Sequence, residues 1–401
     1  MALKYIPSLL MKTNSKKWLH KKEETSQKFT YGELAVFGEG NAERLEKIVN
    51  AKGDPKKLAQ ISPSFIVMDL TWRCNYHCLD CIDGEAVNKE KSILPVEIIK
   101  DIFDYSRDND VRGLMTMGGE VFLHKQGMKT ALEKSVEYRI PLKTVSNGSR
   151  LKSFINQIIQ AYKIPGSMLR VSINSTKQNY NEQTGGNTKL KEVLANLEQI
   201  ASEDVNLFVS TVVFPESSKE DNAVPNINEL EEIIGYCKDA KIKTQILIPG
   251  RSPKTRSRYK LTDKEKEIIK TTQETNYGFN VEMGSFNRKE MYKNQDLNFN
   301  PCPSGFIFTL IGSDGKIYKC TDNRGRDSAV IGKIEKPGDF KKFWHSEERV
   351  KKQKQTTCKN QGCIRYKSNV ILNTACETCT NTGVSMANNL KLQGGEITTF
   401  Y

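Results

Sequence analysis

Three cysteines lie within eight residues of one another in the segment TWRCNYHCLDC. They are Cys74, Cys78 and Cys81, and the next cysteine in the chain is Cys237. Three thiolates leave one position of a four-ligand metal centre open, as catalytic metal sites do. One interpretation is a zinc site with His77 as the fourth ligand, and the other is an iron–sulfur cluster with an open iron. The close spacing of the three cysteines favours the iron–sulfur cluster.

A repeating pattern of strands and helices surrounds this cysteine loop. The apolar run FIVMDL (65–70) precedes the loop, and amphipathic helix patterns separate it from five further strand patterns: RGLMTM (112–117), LKTVSNG (142–148), LRVSIN (169–174), LFVSTVVF (207–214) and TQILIP (244–249). This alternation predicts an α/β fold with a parallel sheet and right-handed crossovers. The sheet closes as part of a barrel or stays open and doubly wound. In either case the loop lies at the C-terminal edge of the sheet, where such folds place their chemistry.

The composition is that of a globular protein, with 401 residues, 37% of them hydrophobic and 27% charged. The sequence contains no apolar run long enough to span a membrane and no clear secretion signal, so we expect a cytoplasmic protein. In that reducing compartment, clustered cysteines bind metal more often than they form disulfides. Cys237 falls in a helix pattern and is predicted to be a buried core thiol. The net charge of +13 favours an anionic partner or substrate.

The cysteine spacing C-x3-C-x2-C after the first strand, followed by GGE at the end of the second, resembles the radical S-adenosylmethionine (SAM) superfamily. The resemblance covers about residues 61–255. It implies a partial (βα)6 barrel in which Cys74, Cys78 and Cys81 hold a [4Fe-4S] cluster. It also implies that SAM binds the fourth iron and is cleaved reductively to a 5′-deoxyadenosyl radical. That radical abstracts hydrogen from a substrate C–H bond.

The same resemblance implies which residues contact SAM: Gly118, Gly119, Glu120, Ser146, Asn147 and Ser172. Two positions depart from the family pattern. Asp80 stands where an aromatic residue is common, and Val121 stands where a proline is common. Neither change removes a cluster ligand, so they bear on the substrate more than on the cofactor.

Six further cysteines follow residue 300, and two of them flank a hairpin pattern, FIFTLIGSDGKIYKC. A structural zinc ribbon is one interpretation of these cysteines. Their spacing also resembles the SPASM and twitch extensions of radical SAM enzymes, which carry auxiliary [4Fe-4S] clusters. A full SPASM pattern has seven cysteines, so the resemblance implies one auxiliary cluster and leaves a second open. The implied ligands are Cys302, Cys320, Cys358, Cys363, Cys376 and Cys379.

The predicted organisation has four parts. A polar, lysine-rich extension (1–60) precedes the partial barrel (61–255), a connecting segment (256–299) follows, and a smaller cysteine-rich α+β domain (300–401) comes last. Basic residues directly after the sixth strand would lie at the mouth of the barrel and bind an anionic substrate. They are Arg251, Lys254, Arg256 and Arg258.

The resemblance implies a radical SAM oxidoreductase that takes electrons from an external reductant of the flavodoxin or ferredoxin type. The auxiliary cluster favours an oxidative outcome. A sugar or aminocyclitol, phosphorylated or nucleotide-linked, is the expected substrate, and a ribosomally made peptide or protein is the alternative. A non-catalytic zinc protein that binds nucleic acid is a distant alternative, because the sequence shows no nucleic-acid-binding motif.

Overall fold

The computed structural model describes residues 44, 47–48, 50–51, 53–78, 81, 87–88, 91–176, 179–186, 189–221, 224–247, 261–275, 303–320 and 324–355. Several predicted functional residues lie outside this part of the chain. They are Cys302, Cys358, Cys363, Cys376, Cys379, Arg251, Lys254, Arg256 and Arg258, together with Asp80.

Nine strands of the described residues form one sheet. In chain order they are β1 (Phe65–Thr71), β2 (Gly113–Gly118), β3 (Leu142–Ser146), β4 (Met168–Ser172), β5 (Leu207–Val212), β6 (Lys243–Leu247), β7 (Phe308–Ile311), β8 (Lys316–Tyr318) and β9 (Val330–Lys333). Their order across the sheet is β6-β5-β4-β3-β2-β1-β7-β8-β9. Strands β1 to β6 pair in parallel, each with its neighbour in the chain, which confirms the predicted parallel α/β sheet.

The C-terminal hairpin continues this sheet. Strand β7 pairs in parallel with β1, on the side of β1 away from β2, and β8 and β9 then follow in antiparallel pairs. The hairpin predicted around Ser313, Asp314 and Gly315 is confirmed, because β7 and β8 flank that turn. As a result, β7 runs beside the strand that leads to the cysteine loop, and β8, which leads to Cys320, lies one strand further out.

Helices fill the connections between the strands. The described helices are α1 (Pro55–Ala59), α2 (Val96–Asp108), α3 (Lys125–Tyr138), α4 (Ile155–Tyr162), α5 (Asn179–Thr184), α6 (Leu190–Ala201), α7 (Leu230–Asp239), α8 (Asp263–Thr275), α9 (Asp339–Trp344) and α10 (Glu347–Gln355). Pro95 occupies the N-cap of α2, where its lack of an N–H costs nothing. Cys237 is fully buried in α7, as predicted. Within the described part of the chain, no helix combines the length and apolarity needed to cross a membrane.

Strand β1 is buried along its whole length, and its two faces contact different layers. Ile66, Met68 and Leu70 pack in the large core beneath the helices. Phe65 and Val67 pack in a second cluster with residues of β2 and β7, on the inner face of the sheet. Because side chains alternate along a strand, Asp69 and Thr71 also belong to this inner face. The strand therefore brings a carboxylate onto the inner face just before the cysteine loop begins.

Candidate active site

The cysteine loop begins where β1 ends, at the C-terminal edge of the parallel sheet. Cys74, Cys78 and Cys81 are half-buried, and none of them forms a disulfide. The backbone N–H of Tyr76 donates to Cys74 Sγ at 3.4 Å, and Asn147 Nδ2 donates to the same sulfur at 3.8 Å. Burial raises the pKa of the Cys74 thiol, while these two donors favour the thiolate. Hydrogen bonds to cysteine sulfur are a feature of iron–sulfur sites.

The two glycines of GGE allow the end of β2 to approach the cysteine loop closely. A Cβ atom on Gly118 would lie 2.3 Å from the carbonyl oxygen of Thr71, and one on Gly119 would lie 2.3 Å from that of Arg73. Gly118 also has a φ of 135°, which favours glycine. Gly119 N donates to Thr71 O at 2.7 Å, and Glu120 N donates to Arg73 O at 2.8 Å. The GGE segment thus packs closely against the backbone of the cysteine loop and is joined to it by two backbone hydrogen bonds. We call this contact the junction between GGE and the loop.

The Glu120 carboxylate joins the ends of β2 and β3 beneath this junction. It is fully buried and accepts hydrogen bonds from Phe122 N at 3.1 Å, Ser146 Oγ at 2.9 Å and Asn147 N at 2.7 Å. Burial raises the pKa of Glu120, and the hydrogen bonds from Asn147, Phe122 and Ser146 act in the opposite direction. Of the predicted SAM contacts, Glu120, Ser146 and Asn147 therefore form one network. Ser172 lies at the end of β4, where it is in register with Ser210.

Asn147 connects that network to the loop. Its Nδ2 atom also donates to Asn75 Oδ1 at 3.1 Å, and Asn75 Nδ2 in turn donates to Ser149 Oγ at 3.0 Å. Gly148 closes the turn with a φ of 79°, and a Cβ atom there would lie 2.8 Å from the side chains of Val171 and Val193. The SNG segment is thus fixed between the cysteine loop and the core.

Several residues that support the loop carry no sequence signal of their own. Asn88 accepts the backbone N–H of Cys74 at 2.8 Å through Oδ1. The hydroxyl groups of Tyr76 and Tyr180 lie 3.0 Å apart in the core, and His77 N donates to Thr184 O at 2.8 Å. Tyr180 and Thr184 belong to α5, about a hundred residues further along the chain. These contacts depend on tertiary structure, so local patterns could not predict them.

The two interpretations of the cysteine loop need different arrangements of ligands, and zinc takes three or four side chains on one ion. His77 Nε2 lies 3.5 Å from Asn88 Nδ2. A [4Fe-4S] cluster has a different requirement, because each cysteine binds a separate iron. Three unbridged thiols on one loop, with N–H donors directed at Cys74 Sγ, fit that group.

Substitution of Glu120 by glutamine tests the network between β2 and β3. We expect Glu120→Gln to lower the free energy of unfolding by about 1–3 kcal/mol, because an NH2 group replaces an acceptor that faces buried donors. Urea denaturation of the protein measures the change. Glu137→Gln is the control, since Glu137 is exposed and pairs with Lys134 at 2.9 Å. Equal changes in the two variants would contradict the role given to Glu120.

Comparisons with known proteins match part of the chain to a family and find solved structures of similar fold. Residues 68–224 match the family model of the radical SAM superfamily. The crystal structure of Streptococcus suis SuiB bound to S-adenosylmethionine is 16% identical, with a TM-score of 0.56 over 87% of this chain and 80% of SuiB. SuiB bound to its precursor peptide SuiA is 17% identical, with a TM-score of 0.56 over 78% of this chain and 71% of that one. Histidine-tagged anSMEcpe with bound AdoMet is 16% identical and gives a TM-score of 0.49 over 82% and 100% of the two chains. A search of curated proteins found no match.

The matched segment runs from β1 through the cysteine loop to the region after β5, which is the part of the sheet that forms the site. Residues 68–224 therefore form a radical SAM domain, and the cofactors of that superfamily are a [4Fe-4S] cluster and SAM. The similarity to SuiB confirms the fold class, a partial barrel with a parallel sheet.

Proposed function

We propose that Cys74, Cys78 and Cys81 hold the [4Fe-4S] cluster and that its fourth iron is left for SAM. The observation that carries this proposal is the position of three unbridged thiols on one loop, at the edge of the sheet where GGE meets the loop. When bound, the cluster and SAM supply the power to abstract hydrogen from an unactivated substrate C–H bond. The chain is on this account an enzyme of the radical SAM type.

The other residues of the site have separate tasks in this proposal. Gly118 and Gly119 keep the end of β2 against the loop, and their carbonyl groups are proposed to accept hydrogen bonds from the amino group of SAM. Glu120 holds that junction from below through Ser146 and Asn147. Asn147 stabilises the thiolate form of Cys74 by its amide N–H. Ser172, at the end of β4, is also proposed to contact SAM.

The reaction is proposed to be an oxidation, which makes the enzyme an oxidoreductase. Cys302, Cys320, Cys358, Cys363, Cys376 and Cys379 would hold an auxiliary [4Fe-4S] cluster. When bound, that cluster would supply an acceptor for the one electron that an oxidation removes after loss of a hydrogen atom, and the accompanying proton would be released to water. Cys320, which lies beyond β8, is half-buried and forms no disulfide. An external reductant of the flavodoxin or ferredoxin type is proposed to supply the first electron.

For the substrate we favour an anionic, ribosomally made peptide over a sugar. SuiB was solved with a precursor peptide bound, and its fold covers most of this chain. The sugar or aminocyclitol class follows from the count of C-terminal cysteines, most of which lie outside the described residues. The basic side chains Arg251, Lys254, Arg256 and Arg258 are proposed to bind the acidic groups of either substrate.

The direct test is reductive cleavage of SAM by the protein after its cluster is reconstituted without oxygen. We expect 5′-deoxyadenosine when dithionite and SAM are added, and faster formation when a pool of acidic peptides is present. A pool of nucleotide-linked sugars is the comparison. If only the sugars accelerate 5′-deoxyadenosine formation, the substrate is a sugar and not a peptide. If the protein binds iron but cleaves no SAM, the proposed chemistry is wrong.

Substitution of Cys320 by alanine tests the auxiliary cluster. We expect Cys320→Ala to retain 5′-deoxyadenosine formation, because the SAM loop is intact, but to lose oxidised product by about tenfold or more. Mass spectrometry of both products in one reaction measures the ratio. Unchanged product formation in a variant with the same iron content as the wild type would contradict a role for Cys320 in oxidation.

A further inference from the structure

A buried ion pair joins the C-terminal region to the strand that precedes the cysteine loop. Arg324 Nη1 lies 3.0 Å from Asp69 Oδ1, although the two residues are 255 positions apart in the chain. The side chain of Asp69 is 0% exposed and that of Arg324 is 7% exposed. Asp69 is on the inner face of β1, and Arg324 lies between β8 and β9. The pair therefore ties the segment just beyond Cys320 to the strand that carries the loop.

The guanidinium of Arg324 makes a second contact, and that contact is with the cysteine loop itself. It lies over the ring of Trp72 at 5.0 Å from the ring centroid. Trp72 is buried and stands two residues before Cys74. A desolvated contact between a guanidinium and an indole face is among the stronger cation–π arrangements. The Arg324 guanidinium thus forms an ion pair with Asp69 and a cation–π contact with Trp72.

Trp72 is connected to the first cysteine by a short series of hydrogen bonds. Its carbonyl oxygen accepts from Asn88 N at 2.9 Å, and Asn88 Oδ1 accepts from Cys74 N at 2.8 Å. On the other side, Trp72 N donates to Ser92 O at 3.3 Å. The Ser92 hydroxyl lies 2.6 Å from the hydroxyl of Ser313, in the turn between β7 and β8. Two side-chain contacts from the C-terminal region, that of Arg324 with Trp72 and that of Ser313 with Ser92, therefore lie next to the start of the loop.

Stability alone does not account for this ion pair. Buried ion pairs lose so much hydration that apolar residues in their place are often as stable. Burial raises the pKa of Asp69 even though Arg324 lies beside it. Within the described residues, Asp69 Oδ2 is buried without a hydrogen-bond partner, which adds to the cost. The ion pair is explained if its role is to hold Trp72, which Arg324 contacts, in a fixed position.

We propose that Arg324 is a positioning residue, which holds Trp72 and through it the Cys74 end of the loop in the geometry that binds SAM. Asp69 orients the guanidinium over the indole ring. The C-terminal region thereby contributes to the SAM site without contacting SAM. This inference rests on the proposed function of the loop as the site of the cluster and of SAM.

The test compares Arg324→Gln with Arg326→Gln, an exposed arginine two residues further along the same segment. In reconstituted protein of equal iron content, we expect Arg324→Gln to raise the Kd for SAM about tenfold, as changes one step from a ligand do. The SAM-induced change in the EPR spectrum of the reduced cluster should weaken in parallel. In the protein without its cluster, the amides of Cys74 and Asn88 should exchange hydrogen faster. Arg326→Gln should match the wild type in all three measurements.

The double variant Asp69→Asn/Arg324→Gln separates positioning from stability. It removes both buried charges, so we expect its Tm to recover relative to Arg324→Gln, but it still lacks a cation over Trp72. If Arg324 positions Trp72, the double variant should still bind SAM weakly although its Tm recovers. Recovery of the Kd together with the Tm, or a wild-type Kd in folded Arg324→Gln, would overturn the inference. If the reconstituted wild-type protein does not bind SAM at all, that result would count against the proposed function and not against the role of Arg324.

Discussion

Replacement of Cys78 by alanine is expected to abolish formation of 5′-deoxyadenosine. The cluster would keep two of its three proposed cysteine ligands, and an iron–sulfur cluster depends on its thiolates. We expect a loss of about 100-fold or more, beyond the range typical of residues that only surround a metal site. The measurement is 5′-deoxyadenosine per chain after reduction with dithionite in the presence of SAM.

Cys237→Ala provides the matched control for that result. Cys237, like Cys78, forms no disulfide, but it is fully buried in α7 and packs in the core beneath the helices. Its loss should cost roughly 1 kcal/mol of stability and leave SAM cleavage near the wild-type rate. Cleavage at the wild-type rate by Cys78→Ala would show that the cluster is held elsewhere.

The second large effect is expected from Gly119→Ala. The new Cβ atom would lie 2.3 Å from Arg73 O and 2.7 Å from Arg73 C, so the backbone of the loop or of the GGE segment must move. A displacement near 1 Å in an active site can cost about 100-fold in rate, and we expect a loss of that order in SAM cleavage. Overpacking should also lower the free energy of unfolding by about 1–3 kcal/mol. Urea denaturation and the 5′-deoxyadenosine assay measure the two effects.

Gly235→Ala is the control for this substitution. Gly235 lies inside α7, and a Cβ atom there would meet no atom within 4 Å. Alanine should therefore stabilise the protein by roughly 0.5–1 kcal/mol through the helix, without any effect on SAM cleavage. If Gly119→Ala is as active as Gly235→Ala, the close junction between GGE and the loop has no role in SAM binding.

The parallel sheet could be predicted because each strand is a short apolar run between helix patterns. Strand ends were harder to predict from the sequence. The third strand pattern extends to Gly148, but β3 ends at Ser146. The physical reason is local, since Gly148 N donates to Ser146 Oγ at 3.0 Å and Gly148 has a positive φ. A side-chain hydrogen bond therefore turns the chain away from the sheet.

The pairing of β7 with β1 could not be predicted in the same way. Phe65 is in register with Phe308, and the two strands are separated by more than two hundred residues. No local pattern specifies a partner at that distance. The hairpin was recognised, but its place in the barrel sheet depends on the apolar inner faces of β1 and β7, which pack in one cluster.

Some residues of the candidate site could be predicted from the sequence, and others could not. Cys74, Cys78, Cys81 and GGE are close in sequence to the strands that carry them. The spacing of the cysteines favours an iron–sulfur cluster, and the resemblance to the radical SAM superfamily implies the role of GGE. Asp69 and Arg324 form a contact that only the folded chain creates. A charged residue within the apolar run FIVMDL was the one sequence signal for it, because a carboxylate in a buried strand requires a partner.

Metal content tests the central claim most directly. Protein purified and reconstituted without oxygen should contain about eight irons and eight sulfides per chain, for the SAM cluster and one auxiliary cluster. A variant with alanine at Cys74, Cys78 and Cys81 should lose about four irons. Zinc in place of iron in the wild type, or an iron content that the triple substitution leaves unchanged, would contradict the assignment of this loop to a SAM-binding [4Fe-4S] cluster.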